Sequence, residues 1–285
     1  MRLHDIYQQA VAEFHAADIP NVDFEVSLLF SHILKLTRTE LFLRKDAAIS
    51  EQDARQLKQM LARRLKREPL AYILGEWEFW SLPFYVTPEV LVPRPETELL
   101  VEYVLSFIAN TNNDPLILEL GTGSGIIPIV LALESRKAGI VSIDCSQAAL
   151  RVADRNAARH NVEDRIDFLN GFWLDALLEL EIFDCVVANP PYVTEGFRSR
   201  MQPELEYEPE GALFSGEKGM DAMHYFIPQT ARVLKPGGRL FIETGSEQHR
   251  LMAELFAECT DFGDVKMFND YSGLPRVISA RKTPV

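Results

Sequence analysis

The stretch LILELGTGSGIIPIVLA, residues 116–132, places three glycines between two apolar runs. The first run has the length of a buried strand, and the second continues as an apolar helix. Gly121, Gly123 and Gly125 let the backbone turn tightly and let a ligand approach the main chain. The dinucleotide fingerprint G-x-G-x-x-G would need a glycine where Ile126 stands. The G-x-G-x-G spacing therefore suits a ligand without a pyrophosphate.

The strand-and-helix pattern repeats along the C-terminal part of the chain. Further apolar strands are predicted at residues 139–144, 165–169, 183–188 and 237–243, and the runs VKMFND and RVISA predict a closing hairpin. Strands that alternate with helices imply a parallel, doubly wound sheet with helices on both faces. Such sheets bind ligands at the carboxyl ends of their strands. The sequence thus predicts an α/β fold with its site at that edge.

The first part of the chain differs from the rest. Residues 1–74 carry apolar side chains at helical spacing, which predicts a small N-terminal helical bundle. Aromatic and β-branched runs punctuated by glycine and proline predict a β-hairpin linker over residues 75–93, followed by the α/β domain over residues 94–285. Residues 1–75 hold 11 Lys and Arg against 10 Asp and Glu, which gives a net charge of +1. The whole chain has a net charge of −13, so residues 76–285 carry −14. This asymmetry supports two units.

One predicted helix of the bundle is strongly basic. Between Arg55 and Arg67 it carries six basic residues and no acid. A solvated face, with cations suited to the helix C-terminus, is the favoured interpretation. A docking surface for an acidic or RNA-containing partner is the alternative.

Composition limits the compartment and the partners. Apolar residues at 47% and charged residues at 25% describe an ordinary globular protein. No apolar run reaches the length of a membrane span, and the N-terminus lacks the apolar core of a signal peptide. The scattered cysteines, Cys145, Cys185 and Cys259, argue against a disulfide framework or a metal site. The acidic charge disfavours sequence-independent binding to duplex nucleic acid. We expect a cytoplasmic monomer without membrane or stable nucleic-acid partners.

The second predicted strand of the sheet ends in an acid. Asp144 follows Gly121 by 23 residues. A carboxylate at this place can accept hydrogen bonds from both ribose hydroxyls of a bound nucleoside. The alternative, that Asp144 caps the next helix, is weak because Ser146 suits that role better. Glycine loop and acid together predict a nucleoside-containing ligand, either NAD(P) or S-adenosylmethionine.

The stretch FDCVVANPPYVTEG, residues 183–196, ends the fourth strand in the sequence NPPY. Two prolines fix φ and remove two backbone donors, so neither a helix nor a central strand continues through them. The loop follows a strand of the same parallel sheet and therefore emerges at the edge that holds the glycine loop and Asp144. Together the three features resemble the class I S-adenosylmethionine-dependent methyltransferases that modify planar nitrogens through an (Asn/Asp)-Pro-Pro-(Tyr/Phe) motif.

Such a loop suits methylation of an amide or exocyclic amino nitrogen, a poor nucleophile because its lone pair is delocalised. The side-chain oxygen of Asn189 and the carbonyl oxygen of Pro190 can accept its two hydrogens. Pro191 stiffens the loop, and the ring of Tyr192 can pack against the planar target. Near-attack positioning can account for ~7–11 kcal/mol of a barrier. The methylated nitrogen can lose its proton to water, so no His or Glu base is required.

A wider set of motifs resembles one family. The segment EPLAYILGEWEFWSLPFYVTPEVLVPRPETELL is followed by LELGTGSG, ID, NPPYV, EPEGALFSGEKGMD and LKPGGRLFIETG. In order and spacing they are similar to the PrmC/HemK family, the glutamine methyltransferases that modify peptide release factors. The resemblance covers most of residues 68–285. It implies the class I methyltransferase fold and methylation of the side-chain amide (N5) of glutamine in the Gly-Gly-Gln loop of class 1 release factors, with S-adenosylhomocysteine as product.

The resemblance also implies contacts with S-adenosylmethionine. Its methionine part would be wrapped by the loop Gly121, Thr122, Gly123, Ser124 and Gly125. Asp144 would hold the ribose, and Glu119 would meet the ammonium group through water. Asn189 would also contact the cofactor. The chain has Phe172 where the family commonly has an acid, so the adenine contact falls to Trp173, with Phe172 beside it.

Contacts with the substrate follow from the same resemblance. Asn189, Pro190, Pro191 and Tyr192 would clamp the glutamine, and residues 93–97 would line the path by which the substrate enters. Glutamine methyltransferases of ribosomal proteins share this catalytic domain and are the nearest alternative.

Three further alternatives are disfavoured. An rRNA or DNA amino-group methyltransferase fits poorly with the −14 charge of residues 76–285. A catalytically silent adapter would be expected to lose Asn189 or a loop glycine. An NAD-dependent oxidoreductase would need a glycine where Ile126 stands, and its chemistry does not require the NPPY sequence.

Overall fold

The computed structural model describes residues 2–111, 114–175 and 177–284. The chain forms two compact units. The first contains Met1–Glu76 together with Gln202–Tyr207, and the second contains Trp77–Met201 together with Glu208–Val285. The predicted hairpin of residues 75–93 thus lies with the second unit from Trp77 onward. The sequence predicts that the helical unit ends at residue 74, whereas in the structure Gln202–Tyr207 also lies with that unit.

The first unit is built from five helices, α1 (Leu3–Ala16), α2 (Val22–Leu34), α3 (Arg38–Leu43), α4 (Glu51–Leu65) and α5 (Leu70–Leu74). Thr37 and Glu40 form a capping box at the start of α3, and the Ser50 hydroxyl accepts the Asp53 N–H at 3.0 Å at the start of α4. The apolar faces of the helices bury Phe14, Leu29 and Leu57 completely. The helices therefore enclose a core of their own.

The basic helix α4 is not a uniformly solvated face. Arg64 is only 2% exposed. Its Nε donates to Glu25 at 2.5 Å, and its Nη1 donates at 2.8 Å to Glu204 in the 3₁₀ helix Pro203–Tyr207. A buried guanidinium needs such partners, because an uncompensated buried charge is strongly destabilising. The ion pairs explain why residues 202–207 belong to the first unit.

The second unit begins with a hairpin of β1 (Glu76–Phe79) and β2 (Leu82–Tyr85). Its main sheet contains β3 (Leu116–Leu120), β4 (Gly139–Asp144), β5 (Ile166–Asn170), β6 (Phe183–Ala188), β7 (Leu234–Glu243), β8 (Phe262–Asn269) and β9 (Pro275–Lys282). The strand order is β5-β4-β3-β6-β7-β9-β8, with β8 and β9 antiparallel at one end. The predicted mostly parallel sheet and the closing hairpin are confirmed. Strand β7 begins three residues before the predicted start, where Phe183 pairs with Leu234 ahead of a register shift.

Helices cover both faces of the sheet. One core contains side chains of α6 (Glu96–Ile108) and α7 (Ile126–Glu134), and α8 (Gln147–Arg159) follows β4. The other core contains side chains of α10 (Asp221–Thr230) and α11 (His249–Glu258), and a short helix α9 (Glu210–Leu213) precedes them. Among the described residues, no helix has both the length and the apolar character needed to cross a bilayer.

The order in which the chain adds strands to the sheet reverses at β3. This strand pairs in parallel with β4 on one side and with β6 on the other. Leu120 of β3 is aligned with Ile143 of β4 and with Ala188 of β6. The residues that follow these three positions are therefore neighbours at one edge. In doubly wound sheets this crevice is where ligands bind.

Candidate active site

A cavity of about 600 Å³ lies at this edge of the second unit, within the range of small-molecule sites. Several predicted site residues line it: Gly121, Thr122, Gly123, Ser124, Asp144, Phe172, Trp173, Asn189 and Pro191. Pro93, Arg94 and Thr97, from the segment predicted to line substrate access, also contribute. Glu119, Gly125, Pro190 and Tyr192 are not among the described residues that line the cavity. The structure thus brings the three sequence features together around one space.

The glycine loop between β3 and α7 has backbone angles that favour glycine. Gly121, Gly123 and Gly125 have φ of 83°, 54° and 82°. A Cβ added at Gly125 would lie 3.0 Å from the Cβ of Ala153, so a side chain there would push α7 and α8 apart. The loop can therefore pass close to a ligand only because these positions lack side chains.

Asp144 at the end of β4 is tied to the glycine loop. One carboxylate oxygen accepts the Gly123 N–H at 2.9 Å, and the other accepts the Ser146 N–H at 2.8 Å. Ser146 in turn caps α8 by accepting the Ala149 N–H, as predicted. Burial raises the pKa of Asp144, although these two N–H groups oppose the shift. Each oxygen of a carboxylate has a second acceptor position, so Asp144 can still bind hydroxyl groups in the cavity.

Glu119 lies beneath the loop rather than on the cavity wall. It is fully buried, and its Oε2 accepts a hydrogen bond from Ser142. Within the described part of the chain, its Oε1 is a buried atom with no hydrogen-bond partner. Burial raises the pKa of Glu119 to about 8, with the hydroxyls of Ser142 and Thr122 opposing and the charge of Asp144 adding to the shift. A buried oxygen without a partner can bind a water, and the predicted role reaches the ammonium group through water.

Glu119→Gln is expected to remove a pH dependence of stability. The pKa of Glu119 is raised from 4.5 to about 8 in the folded chain, so between these values the unfolded chain releases the proton first. Unfolding therefore becomes easier as pH rises through this window. We expect the wild-type Tm to fall relative to that of Glu119→Gln, by about 2–4 °C for each kcal/mol.

Thermal melts without cofactor, at pH values spanning that window, measure this difference. The exposed Glu163→Gln variant is the matched control, and its Tm should follow the wild-type curve. Wild-type and Glu119→Gln curves that stay parallel would show that Glu119 titrates normally.

Two aromatic rings follow β5 and line the cavity in different ways. Trp173 stacks on Phe226 with 4.9 Å between ring centroids, so one of its faces belongs to the core. Phe172 is 52% exposed and meets Tyr225 edge to face at 5.2 Å. The sequence favours Trp173 for a planar ligand, whereas the structure gives Phe172 the more accessible ring.

The side chain of Asn189 is held in one orientation from behind. Its Nδ2 donates to the Thr97 hydroxyl at 3.1 Å, and that hydroxyl donates to Glu243 Oε2 at 2.8 Å. Within the described part of the chain, Asn189 Oδ1 accepts no hydrogen bond from the protein. It is therefore available as an acceptor for a ligand in the cavity.

The other end of the NPPY loop is held by the same acid. The Tyr192 hydroxyl donates to Glu243 Oε1 at 3.2 Å, and Gln248 Nε2 donates to the Tyr192 carbonyl at 2.9 Å. Burial and the charge of Glu243 raise the pKa of Tyr192. Pro190 is buried, so the two prolines and these hydrogen bonds leave the loop little freedom.

Sequence reasoning missed Glu243 and Gln248 and placed Thr97 only on the path of access. A signal was present for Glu243, because it is the last residue of β7 and so ends a strand at the same edge as Asp144 and Asn189. The partners of these side chains lie far away in the chain, and no local pattern identifies them.

Comparison with known proteins gives matches for both parts of the chain. The chain matches the model of the PrmC N-terminal domain over residues 5–75 and that of a methyltransferase domain over residues 112–273. Curated relatives named release factor glutamine methyltransferase include that of Koribacter versatilis, 36% identical over 283 residues and 99% of each chain, and that of Coxiella burnetii, 36% identical over 263 residues and 92% of each chain. A methyltransferase structure from Pyrococcus furiosus shares the fold, with a TM-score of 0.53 at 16% identity over 83% of this chain and 100% of that chain.

Proposed function

The chain belongs to the family of release factor glutamine methyltransferases, and from this we propose that it methylates the side-chain amide nitrogen (N5) of a glutamine in a class 1 peptide chain release factor, with S-adenosylmethionine as donor. The observation that supports this best is the juxtaposition of Asn189 with the glycine loop and Asp144 around one cavity. An amide acceptor beside a nucleoside-type site suits transfer to a planar nitrogen. The glutamine of a Gly-Gly-Gln loop is the proposed target.

The residues of the cavity fit S-adenosylmethionine, which when bound supplies an electrophilic methyl group and leaves as S-adenosylhomocysteine. Residues 121–125 present a backbone that a ligand can approach, and Asp144 has acceptor positions left for the ribose hydroxyls. Phe172 and Trp173 offer ring surface for the adenine. The orphaned Oε1 of Glu119 would take the ammonium group through water.

Asn189 and Pro190 would bind and orient the glutamine amide. The free Oδ1 of Asn189 and the carbonyl oxygen of Pro190 accept the two N–H hydrogens, which turns the nitrogen lone pair toward the donor. Tyr192, which does not line the cavity, would brace the clamp from behind, with its hydroxyl donating to Glu243. The methylated nitrogen is acidic and releases its proton to water, so the chain needs only to position the amide.

Radiolabelled methyl transfer tests the proposal directly. Purified release factor, a ribosomal protein mixture and rRNA are offered in parallel with labelled S-adenosylmethionine. Label on the release factor, lost when its Gly-Gly-Gln glutamine is replaced by alanine, is the expected result. Label on the ribosomal proteins or the rRNA, with none on the release factor, would overturn the proposal.

We also propose that the first unit recognises the body of the release factor. Phe42 and Leu43, at the end of α3, are 75% and 73% exposed, although both are large and apolar. An adjacent pair of exposed large side chains is typical of a binding surface. The double variant Phe42→Ser/Leu43→Ser is expected to raise KM for the full-length factor about 30-fold or more, because truncating an interface residue that matters costs more than about 1 kcal/mol and about 1.4 kcal/mol is a factor of ten.

Steady-state kinetics on two substrates measures this effect. A short Gly-Gly-Gln peptide should be methylated equally by the wild type and the double variant, since it lacks the body of the factor. Leu178→Ser is the control: Leu178 is 76% exposed and precedes β6 at the edge opposite the site. An unchanged KM for the full-length factor would exclude these residues from recognition.

The remaining expectations concern environment and assembly. The acidic second unit and the free cysteines fit a monomer in a reducing cytoplasm that forms no stable complex with nucleic acid. Sedimentation of the purified chain with and without rRNA tests both the oligomeric state and this lack of binding.

A further inference from the structure

Four side chains from three separated parts of the second unit form one hydrogen-bonded chain behind the NPPY loop. Glu243 ends β7, Thr97 lies in the first turn of α6, and Asn189 and Tyr192 lie in the loop after β6. Thr97 and Glu243 are completely buried. Thr97 also lines the cavity, so the chain reaches from the core to the site.

The chemistry of the acid fixes the direction of every hydrogen bond in this chain. Each oxygen of Glu243 faces one hydroxyl, Oε2 that of Thr97 at 2.8 Å and Oε1 that of Tyr192 at 3.2 Å. Burial raises the pKa of Glu243 to about 6, with the hydrogen bond from Thr97 and the charge of Arg276 opposing the shift. A carboxylate only accepts, and the Thr97 and Tyr192 hydroxyls must both donate to it. The Thr97 oxygen then offers only lone pairs to Asn189, so Asn189 must present its NH₂ group there. The side-chain oxygen of Asn189 is left for the cavity.

We propose that Thr97 and Glu243 are positioning residues that set the orientation of the Asn189 carboxamide and thereby make it an acceptor for the substrate amide. This inference rests on the proposed function, because orientation matters only if Asn189 binds the N–H hydrogens of a glutamine. A carboxamide turned by 180° would present its own NH₂ group to the substrate NH₂, which places donor against donor.

The hydroxyl of Thr97 is the part of the chain that a substitution can remove most cleanly. Thr97→Val keeps the size and β-branched shape of the side chain but has no lone pair for Asn189 and no proton for Glu243. Thr97→Ser keeps the hydroxyl. In Thr97→Val the Asn189 carboxamide has no partner that distinguishes its two ends.

Single-turnover methylation of the release factor is the test, with calorimetry for cofactor affinity. Thr97→Val is expected to lower the rate of methyl transfer about 10–100-fold, since misplaced substrate groups cost about this much, and to leave cofactor Kd within about threefold. Thr97→Ser should restore the rate to within about threefold of wild type. Equal rates for wild type and Thr97→Val, or equal losses for Thr97→Val and Thr97→Ser, would overturn the proposal.

A double-mutant cycle separates positioning from a general structural role. If Thr97 acts through Asn189, Thr97→Val has little further effect in an Asn189→Ala background, whereas independent structural damage would multiply the two losses. Thr97→Ala replaces Thr97→Val in the same cycle if the valine variant melts at a lower temperature than wild type. A wild-type enzyme that leaves the release factor unlabelled refutes the proposed function. A labelled factor with additive losses refutes only the positioning role.

Discussion

Replacing Asn189 with alanine is expected to lower kcat for release factor methylation about 10²–10³-fold, the cost of removing one preorganised hydrogen-bond group from an active site. The variant loses the acceptor that holds the substrate amide, so the nitrogen lone pair is no longer directed at the methyl donor. The affinity for S-adenosylmethionine should stay within about threefold, because the substitution leaves the glycine loop and Asp144 unchanged.

Steady-state kinetics gives the loss of kcat, and calorimetry gives the cofactor Kd. Asn110→Ala is the matched control, since Asn110 is an exposed asparagine just after α6 whose Nδ2 donates, among the described residues, to the Ser106 carbonyl. This control should behave as wild type. Parallel losses of turnover and cofactor affinity in Asn189→Ala would mean that Asn189 holds the cofactor and does not clamp the substrate.

Replacing Asp144 with alanine should chiefly weaken the binding of S-adenosylmethionine. Hydrogen bonds to a charged group contribute about 1.5–3 kcal/mol each, and two ribose hydroxyls are proposed to donate to this carboxylate. Since about 1.4 kcal/mol corresponds to a factor of ten, the Kd for S-adenosylmethionine should rise at least about 100-fold. The loss of the bond to the Gly123 N–H also loosens the loop, which adds to the effect.

Calorimetry on Asp144→Ala and on Asp144→Asn distinguishes the two contributions. The asparagine variant keeps an acceptor for one backbone N–H but lacks the charge, so its Kd should lie between those of wild type and Asp144→Ala. Asp154→Ala, which removes an exposed acid from the adjacent helix α8, is the control and should bind normally. A wild-type Kd in Asp144→Ala would exclude the ribose contact.

The elements of the sheet could be predicted because their signals are local. Apolar runs of strand length bounded by glycine or proline identify β3 to β6 within a residue at each end. The edge that carries the site follows from the parallel order, since Gly121, Asp144 and Asn189 each follow a strand. These predictions needed only the type of each element and its direction.

Side-chain partnerships could not be predicted in the same way. Thr97 and Glu243 are 146 residues apart, and Arg64 and Glu204 are 140 apart, yet each pair is hydrogen-bonded. A polar residue in a sequence is predicted to be exposed, because burying it costs free energy unless it has a partner. The local sequence pattern does not reveal that partner. The basic stretch of α4 therefore predicts a solvated face, although Arg64 is buried in the structure.

Because residues 202–207 belong to the first unit, the order of translation matters for how that unit is completed. Arg64 is translated early, but its second acid, Glu204, leaves the ribosome only after most of the second unit has been made. Domains usually fold in turn as the chain emerges, N-terminal first. Here Arg64 can pair early with Glu25 but gains Glu204 only after translation has passed residue 207, so the first unit receives its last segment late in synthesis.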